Sequence, residues 1–280
     1  MQNKRKRRFH TRKNSKIKCN GDFFLYISAM LDYESMKSNP LAFVKRRTIT
    51  SAYIDSTGRM GIAQTALMIQ DNITGNFGEM DCDNFLINKL GAYWVLTRSK
   101  FHFYKRPFWR EKVHTVSFPA SNALVRANEN TAIVTPEGEF LITANQEACC
   151  LDLKTHRPVK LTTLPFPREG FPAPVFTDSF EKFTIDDSEY KEIFKEKVYS
   201  QNIDMSHHMN NIEYIKLALN VLSVAEIEEH EPLDLEVHYM GESREGELLT
   251  VLHAREGSVS YMKILNGSGR AVFEMKISFR

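Results

Sequence analysis

The amino-acid sequence predicts an α+β protein made of two copies of one unit, each a curved antiparallel sheet wrapped around a single helix. Three observations carry that reading. A strand, a helix and a meander of strands are spelled out once before residue 155 and again after residue 177. A proline-rich stretch separates the copies, with Pro158, Pro165, Pro167, Pro172 and Pro174 inside residues 155–177. The length of 280 residues exceeds a usual single domain but suits two halves of ~100–150 residues.

In chain order, Arg46 to Ile54 reads as a strand, and Ser56-Thr57-Gly58 as a turn. Ile62, Ala66, Ile69 and Ile73 then recur at helical spacing on one face, ending at Gly75. Strand patterns follow over Ala92 to Tyr104, Glu111 to Phe118, Leu124 to Val134 and Phe140 to Leu153, the last two divided by Pro136-Glu137-Gly138. After the proline-rich connector the pattern restarts with a strand from Lys191 to Tyr199. A helix from Asn210 to Ser223 comes next, with Ile212, Ile215, Leu219 and Leu222 on one face. Leu233 to Met240, Glu247 to His253, Ser258 to Leu265 and Ala271 to Phe279 complete the second meander. Leu233, Leu235, Val237 and Tyr239 alternate with polar residues, as a half-buried strand requires. Each sheet must bury its inner face, and the helix of its own unit supplies the cover.

Charge is distributed unevenly. Residues 1–18 hold nine Lys/Arg and no Asp or Glu, leaving 28 basic against 35 acidic residues in the remainder. A basic arm suits nucleic acid or an anionic membrane surface. The apolar run Phe23 to Leu31 could also make it a signal peptide, but the run is short and no clear small-residue cleavage site follows. The plainer expectation is a disordered extension over residues 1–39 that is an artefact of gene calling, with Met36 or Met30 as the true start. No stretch of ~18 apolar residues is present, so no membrane span is expected. Cys19, Cys82, Cys149 and Cys150 show neither metal spacing nor a disulfide framework, which suits a reducing cytoplasm.

The chemistry is concentrated in Asp204-Met205-Ser206-His207-His208-Met209-Asn210-Asn211-Ile212-Glu213-Tyr214. An acid, a hydroxyl, two imidazoles and two carboxamides precede an amphipathic helix, whose start offers unpaired N–H groups and partial positive charge. Asn210 with Glu213 reads as a capping box. Such polar residues before a helix are commonly just caps. There is no Gly-x-Ser-x-Gly elbow and no His-Glu-x-x-His spacing, and adjacent His207 and His208 would splay apart. No metal or cofactor is therefore expected.

The segment Asp204-x-x-x-His208-x-Asn210-Asn211-x-x-Tyr214 resembles the active-site segment of the acyl-acyl-carrier-protein (acyl-ACP) thioesterases. That family reads Asp-x-Asn-x-His-x-Asn-Asn-x-x-Tyr. Three more stretches resemble it in the same order: Trp94-Val95-Leu96-x-Arg98 with Pro107-x-Trp109-x-Glu111-x-Val113, then Thr155-x-Arg157-Pro158, then His238 to Ser243 with its Glu242. The likeness runs from about Leu41 to the C-terminus. Ser206 stands where the family has Asn, and Ser243 where plant members have Cys.

The resemblance implies a tandem double hotdog fold: residues 40–154 as a first hotdog that shapes the acyl cavity, 155–177 as linker, and 178–280 as the catalytic hotdog. It implies hydrolysis of acyl-ACP in fatty acid biosynthesis by activated water, with Asp204, His208 and Glu242 as the polar constellation and Ser206 in support. Glu242 would serve as general base helped by His208, with Asp204 as the alternative carboxylate. Backbone N–H groups from His208 to Asn210, at the helix start that includes Asn211, would receive the carbonyl oxygen. Ile62, Ala66, Ile69, Ile73 and Trp94 are candidate acyl-cavity residues, with ordinary core as the competing reading. Lys154, His156, Arg157 and Lys160 are candidate contacts for acidic carrier protein. The chain is expected to act as a monomer or homodimer. Three rivals stand beside this reading: a hotdog hydrolase of acyl-coenzyme A, a non-catalytic acyl-binding protein disabled at Ser206, and a nucleic-acid binder led by the basic arm.

Overall fold

A computed structural model describes residues 33–280, except 121, 168, 171–174 and 177. The basic arm through residue 32, with Cys19 and Met30, and the connector residues Pro172 and Pro174 lie outside the described residues. Tyr33–Lys37 (α1) leads to Phe43–Thr48 (β1), Ile62–Glu79 (α2), Asn84–Lys89 (α3), Ala92–Phe103 (β2), Lys112–Pro119 (β3), Arg126–Val134 (β4) and Phe140–Asp152 (β5). The second half runs Lys191–Lys197 (β6), Asn211–Leu219 (α4), Val224–Glu229 (α5), Pro232–Tyr239 (β7), Leu248–Glu256 (β8), Val259–Leu265 (β9) and Ala271–Phe279 (β10).

The expectation of two separate sheets is corrected. The strands form one ten-stranded sheet in the order β1-β3-β4-β5-β2-β7-β10-β9-β8-β6. From either edge inward each half has the same connectivity, and the halves join where β2 pairs antiparallel with β7, Arg98 opposite His238 and His102 opposite Asp234. The reason is the edge itself: β2 and β7 would each expose unpaired N–H and C=O groups, and each half supplies the other's missing neighbour. Phe101, Phe103, Leu235 and Val237 point inward at this seam and are buried. α2 and α4 touch each other inside the curve.

Alternate seam residues point to the opposite face, where Lys100 lies 3.2 Å from its cross-strand partner Glu236. Residues 178–190 cross this face before β6. Arg98 lies over the Phe180 ring, Phe183 stacks on His238, and the Glu181 N–H donates to Glu236 at 2.7 Å.

Several boundaries move for local reasons. α2 continues past Gly75 because that glycine admits the Phe43 ring; an added Cβ would sit 2.5 Å from it. The second helix ends at Leu219, short of Ser223, and the Ser223 side chain instead caps a further helix, α5, in a reciprocal box with Glu226. Residues 33–39, expected within the disordered extension, include α1, whose Met36 is buried with Val116, Phe118, Ala132 and Val134. The Tyr33 hydroxyl lies 2.6 Å from His114 Nδ1. Among the described residues, no helix is long and apolar enough to cross a membrane.

Candidate active site

The chemistry-rich segment folds as a tight turn ahead of α4. A bridge between Ile203 and Met209 closes it. Inside, the Asp204 N–H donates to the His208 carbonyl and the His207 N–H to the Asp204 carbonyl, each at 3.0 Å. The Asp204 carboxylate accepts from the Ser206 N–H at 2.8 Å. His207 sits at φ 62°, a conformation that costs a residue bearing a Cβ. The first half holds the same turn: Ile54 bridges Met60, the Asp55 carboxylate accepts from the Thr57 N–H at 2.9 Å, and Gly58 occupies the left-handed position at φ 73°. The repeat thus extends to the site-bearing turn.

A second backbone contact brings in Glu242. The Met209 N–H donates to the Ser243 carbonyl at 2.8 Å, pinning the loop after β7 to the turn before α4. His208 Nε2 consequently lies 2.9 Å from Glu242 Oε2. The same nitrogen is 3.2 Å from Arg244 Nη2. One nitrogen cannot satisfy both partners in one protonation state: with a proton it donates to Glu242, and without one it accepts from Arg244. Arg244 was not apparent in the sequence, because its role depends on the loop reversal after Gly241.

The expected oxyanion donors are corrected in part. The amides of Met209 and Asn210 are already committed, to Ser243 and Asn202 carbonyls at 2.8 Å each. The Asn210 side chain accepts from the Ile212 N–H at 2.8 Å and is thereby used as the cap. Glu213 does not complete a capping box; it accepts from Asn202 at 3.0 Å and from Lys216 at 2.7 Å. The Asn211 N–H, at the first residue of α4, has no acceptor among the described residues. Helix starts leave such donors open.

Two cavities flank the turn, of about 450 Å³ and about 530 Å³, and both are lined by Trp94, Leu96, Asp204, Ser206 and Asn211. The first also holds His208, Glu242, Tyr214 and Tyr239. Burial in this wall pushes the Tyr214 phenol up to about 12. His156 stands at its rim with Nδ1 3.0 Å from the Tyr93 hydroxyl, and Lys154, Arg157 and Lys160 beside it are exposed. The second cavity is the more apolar, with Ile73, Phe77, Phe85 and Ala148 in its wall.

Of the expected cavity residues, Ile73 and Trp94 line this space. Ile62, Ala66 and Ile69 do not; they are buried core of α2. Trp94 is fixed as a partition by its Nε1–H donating to the Cys82 carbonyl at 2.7 Å, with its ring against Phe77 and Phe166. The cavity lies in the first half because side chains there are smaller. By strand register Thr131, Ala144 and Ala148 occupy the places of Met262, Met275 and Phe279 in the second half.

The fold has known counterparts. Residues 185–280 match the family model described as the acyl-ACP thioesterase C-terminal domain. An acyl-ACP thioesterase from Bacteroides thetaiotaomicron superposes with a TM-score of 0.75 at 16% identity, covering 86% of this chain and 98% of that one. A 12:0-ACP thioesterase from Umbellularia californica gives 0.77 at 15% identity, with the same coverage of 86% and 98%. No curated protein matches the chain in sequence. Fold and domain match together define the class, a thioester hydrolase built on the hotdog fold. The sequence likeness to the acyl-ACP thioesterase family model is carried by residues 185–280.

Proposed function

We propose that the protein hydrolyses the thioester of fatty acyl-ACP, releasing free fatty acid and carrier, within fatty acid biosynthesis in the cytoplasm. The observation that carries this is the His208–Glu242 pair, 2.9 Å apart, in the wall of the first cavity and beside an open helix start. In this reading Glu242 orients a water and accepts its proton as the water attacks the carbonyl carbon. His208 shares that proton and delivers it to the departing thiolate. Arg244 supports the neutral imidazole that results. The Asn211 N–H and carboxamide receive the developing oxyanion, where one lost donor typically costs ~3–4 kcal/mol. Asp204 acts through the backbone, holding the turn with its contact to Ser206. Ser243 is fully buried, which supports water over a side-chain nucleophile.

The acyl chain would enter the larger cavity of the first half. The pantetheine arm would leave past Tyr93 and His156, where Lys154, Arg157 and Lys160 give an acidic carrier a basic rim. The test is release of free fatty acid from acyl-ACPs of graded chain length, with acyl-coenzyme A as the competing carrier. Turnover on the carrier protein should fall at least ~100-fold in both H208A and E242A, with thermal unfolding unchanged. Near-native rates in both variants would refute the mechanism, and faster turnover of coenzyme A thioesters would refute the carrier assignment.

A further inference from the structure

The larger cavity carries a polar group that hydrolysis does not use. Glu129, on β4, lines it and is only 2% exposed. Asn76 Nδ2 donates to its Oε2 at 3.4 Å, while its Oε1 is buried with no hydrogen-bond partner among the described residues. Burial holds the carboxyl well above the usual carboxylate range, which favours its protonated form, able both to donate and to accept. Its cross-strand neighbour on β5, Gln146, lines the same cavity.

The setting indicates design rather than a stray acid. A polar network runs from Glu129 under α2: Asn76 also donates to the Ser117 carbonyl at 3.3 Å, Asn72 donates to Ser117 Oγ at 2.8 Å, and Ser117 Oγ lies 2.7 Å from Thr131 Oγ1. Network members inside the sheet are satisfied, and the open valence is the one at the cavity. In the second half the register places Ser260 and Ile277 where Glu129 and Gln146 stand. A carboxyl and a carboxamide thus stand in the half that holds the cavity where the other half has a small hydroxyl and a hydrocarbon. An unbranched hydrocarbon chain would leave Oε1 without a partner, whereas a chain bearing an oxygen would complete it.

Resting on the acyl-thioesterase reading, we infer that the cavity selects acyl chains carrying a hydroxyl or keto oxygen away from the carbonyl, with Glu129 and Gln146 as the specificity-determining pair. The oxygen-bearing carbon lies along the chain because β4 is three strands from β7, roughly 14 Å across the sheet at ~4.8 Å per strand. A substituent beside the thioester would stay near the turn.

The experiment uses the full chain and acyl-ACPs of one length, unsubstituted or bearing a single hydroxyl at successive carbons. The same free fatty acids are titrated calorimetrically. At least one hydroxylated position should raise kcat/KM about tenfold over the unsubstituted chain. Glu129→Leu should abolish that preference, and Glu129→Gln, which keeps a neutral donor and acceptor, should retain much of it. Equal or better use of the unsubstituted chain against every position overturns the inference, as does a preference that survives in E129L. If nothing is turned over, the hydrolase reading fails by itself. A calorimetric preference for a hydroxy acid, lost in E129L, would then still uphold the cavity assignment, and equal or absent binding would overturn it.

Discussion

Arg106 occupies in the first half the place that Glu242 occupies in the second. Each precedes the residue whose carbonyl accepts the amide closing the turn, Pro107 for Met60 and Ser243 for Met209, both at 2.8 Å. Glu242 is half exposed and faces His208. Arg106 is buried and holds Asp55 and Glu231, donating to the latter at 3.0 Å. One backbone frame thus carries a half-exposed His–Glu pair in one copy and a buried arginine with its two acids in the other.

That cluster should be structural alone. Arg106→Leu leaves the Asp55 carboxylate without its cation and Glu231 with only Arg59 at 3.7 Å, and is expected to cost ~2–3 kcal/mol, below the full penalty because both acids retain solvent contact. Urea unfolding measures it. A loss under ~0.5 kcal/mol, or a collapse of kcat in a protein that remains folded, would contradict the assignment.

His207→Gly should stabilise the protein. The residue is exposed and held at φ 62°, and the equivalent position of the first half is Gly58 at φ 73°. Relief of the left-handed strain is worth up to ~1 kcal/mol, partly offset by the entropy of the unfolded glycine. Thermal unfolding should shift upward, and His207→Val should shift it downward; the reverse order would show the turn to be unstrained.

Ala148→Phe should shorten the acceptable acyl chain. The register gives Phe279 the same place in the half without the cavity, so the frame accommodates the ring. The chain-length profile of hydrolysis should move toward shorter chains with little change in melting temperature. An unaltered profile would place the acyl chain elsewhere.

Glu129 should impose a pH dependence on stability. Its folded-state value is raised by burial, while the unfolded carboxyl titrates near ~4.3. Above that value the unfolded chain gives up a proton that the folded chain retains, so stability declines as pH rises toward the folded value. Glu129→Gln removes the decline. The melting-temperature advantage of the variant should therefore be larger at pH 8 than at pH 5, and a constant difference would show Glu129 ionised in the folded protein.

The second-half turn was legible because its polar residues are contiguous and abut a helix of clear period. The repeat was legible for the same reason, since its strands alternate and its connector is rich in proline. Glu129 was not. Arg126 to Thr131 is mostly polar and reads as a solvated strand; only the register against β5 and the Asn76 carboxamide above it turn Glu129 inward. Ile62, Ala66 and Ile69 share one helical period with Ile73, and periodicity cannot separate filled core from cavity wall. Glu242 was found through the resemblance, but Arg244 needed the loop. The short helices α3 and α5 carry too few turns to show a period.

The union of β2 with β7 inside a single polypeptide has a consequence for inheritance. In an assembly of two identical subunits every substitution lands twice, so a change that enlarges a pocket also strikes the reactive turn. Here each half is written by its own stretch of gene. Ala148 can therefore be small while Phe279 is large, and Arg106 can stand where the other half has Glu242. A substitution in one half leaves the corresponding position of the other untouched.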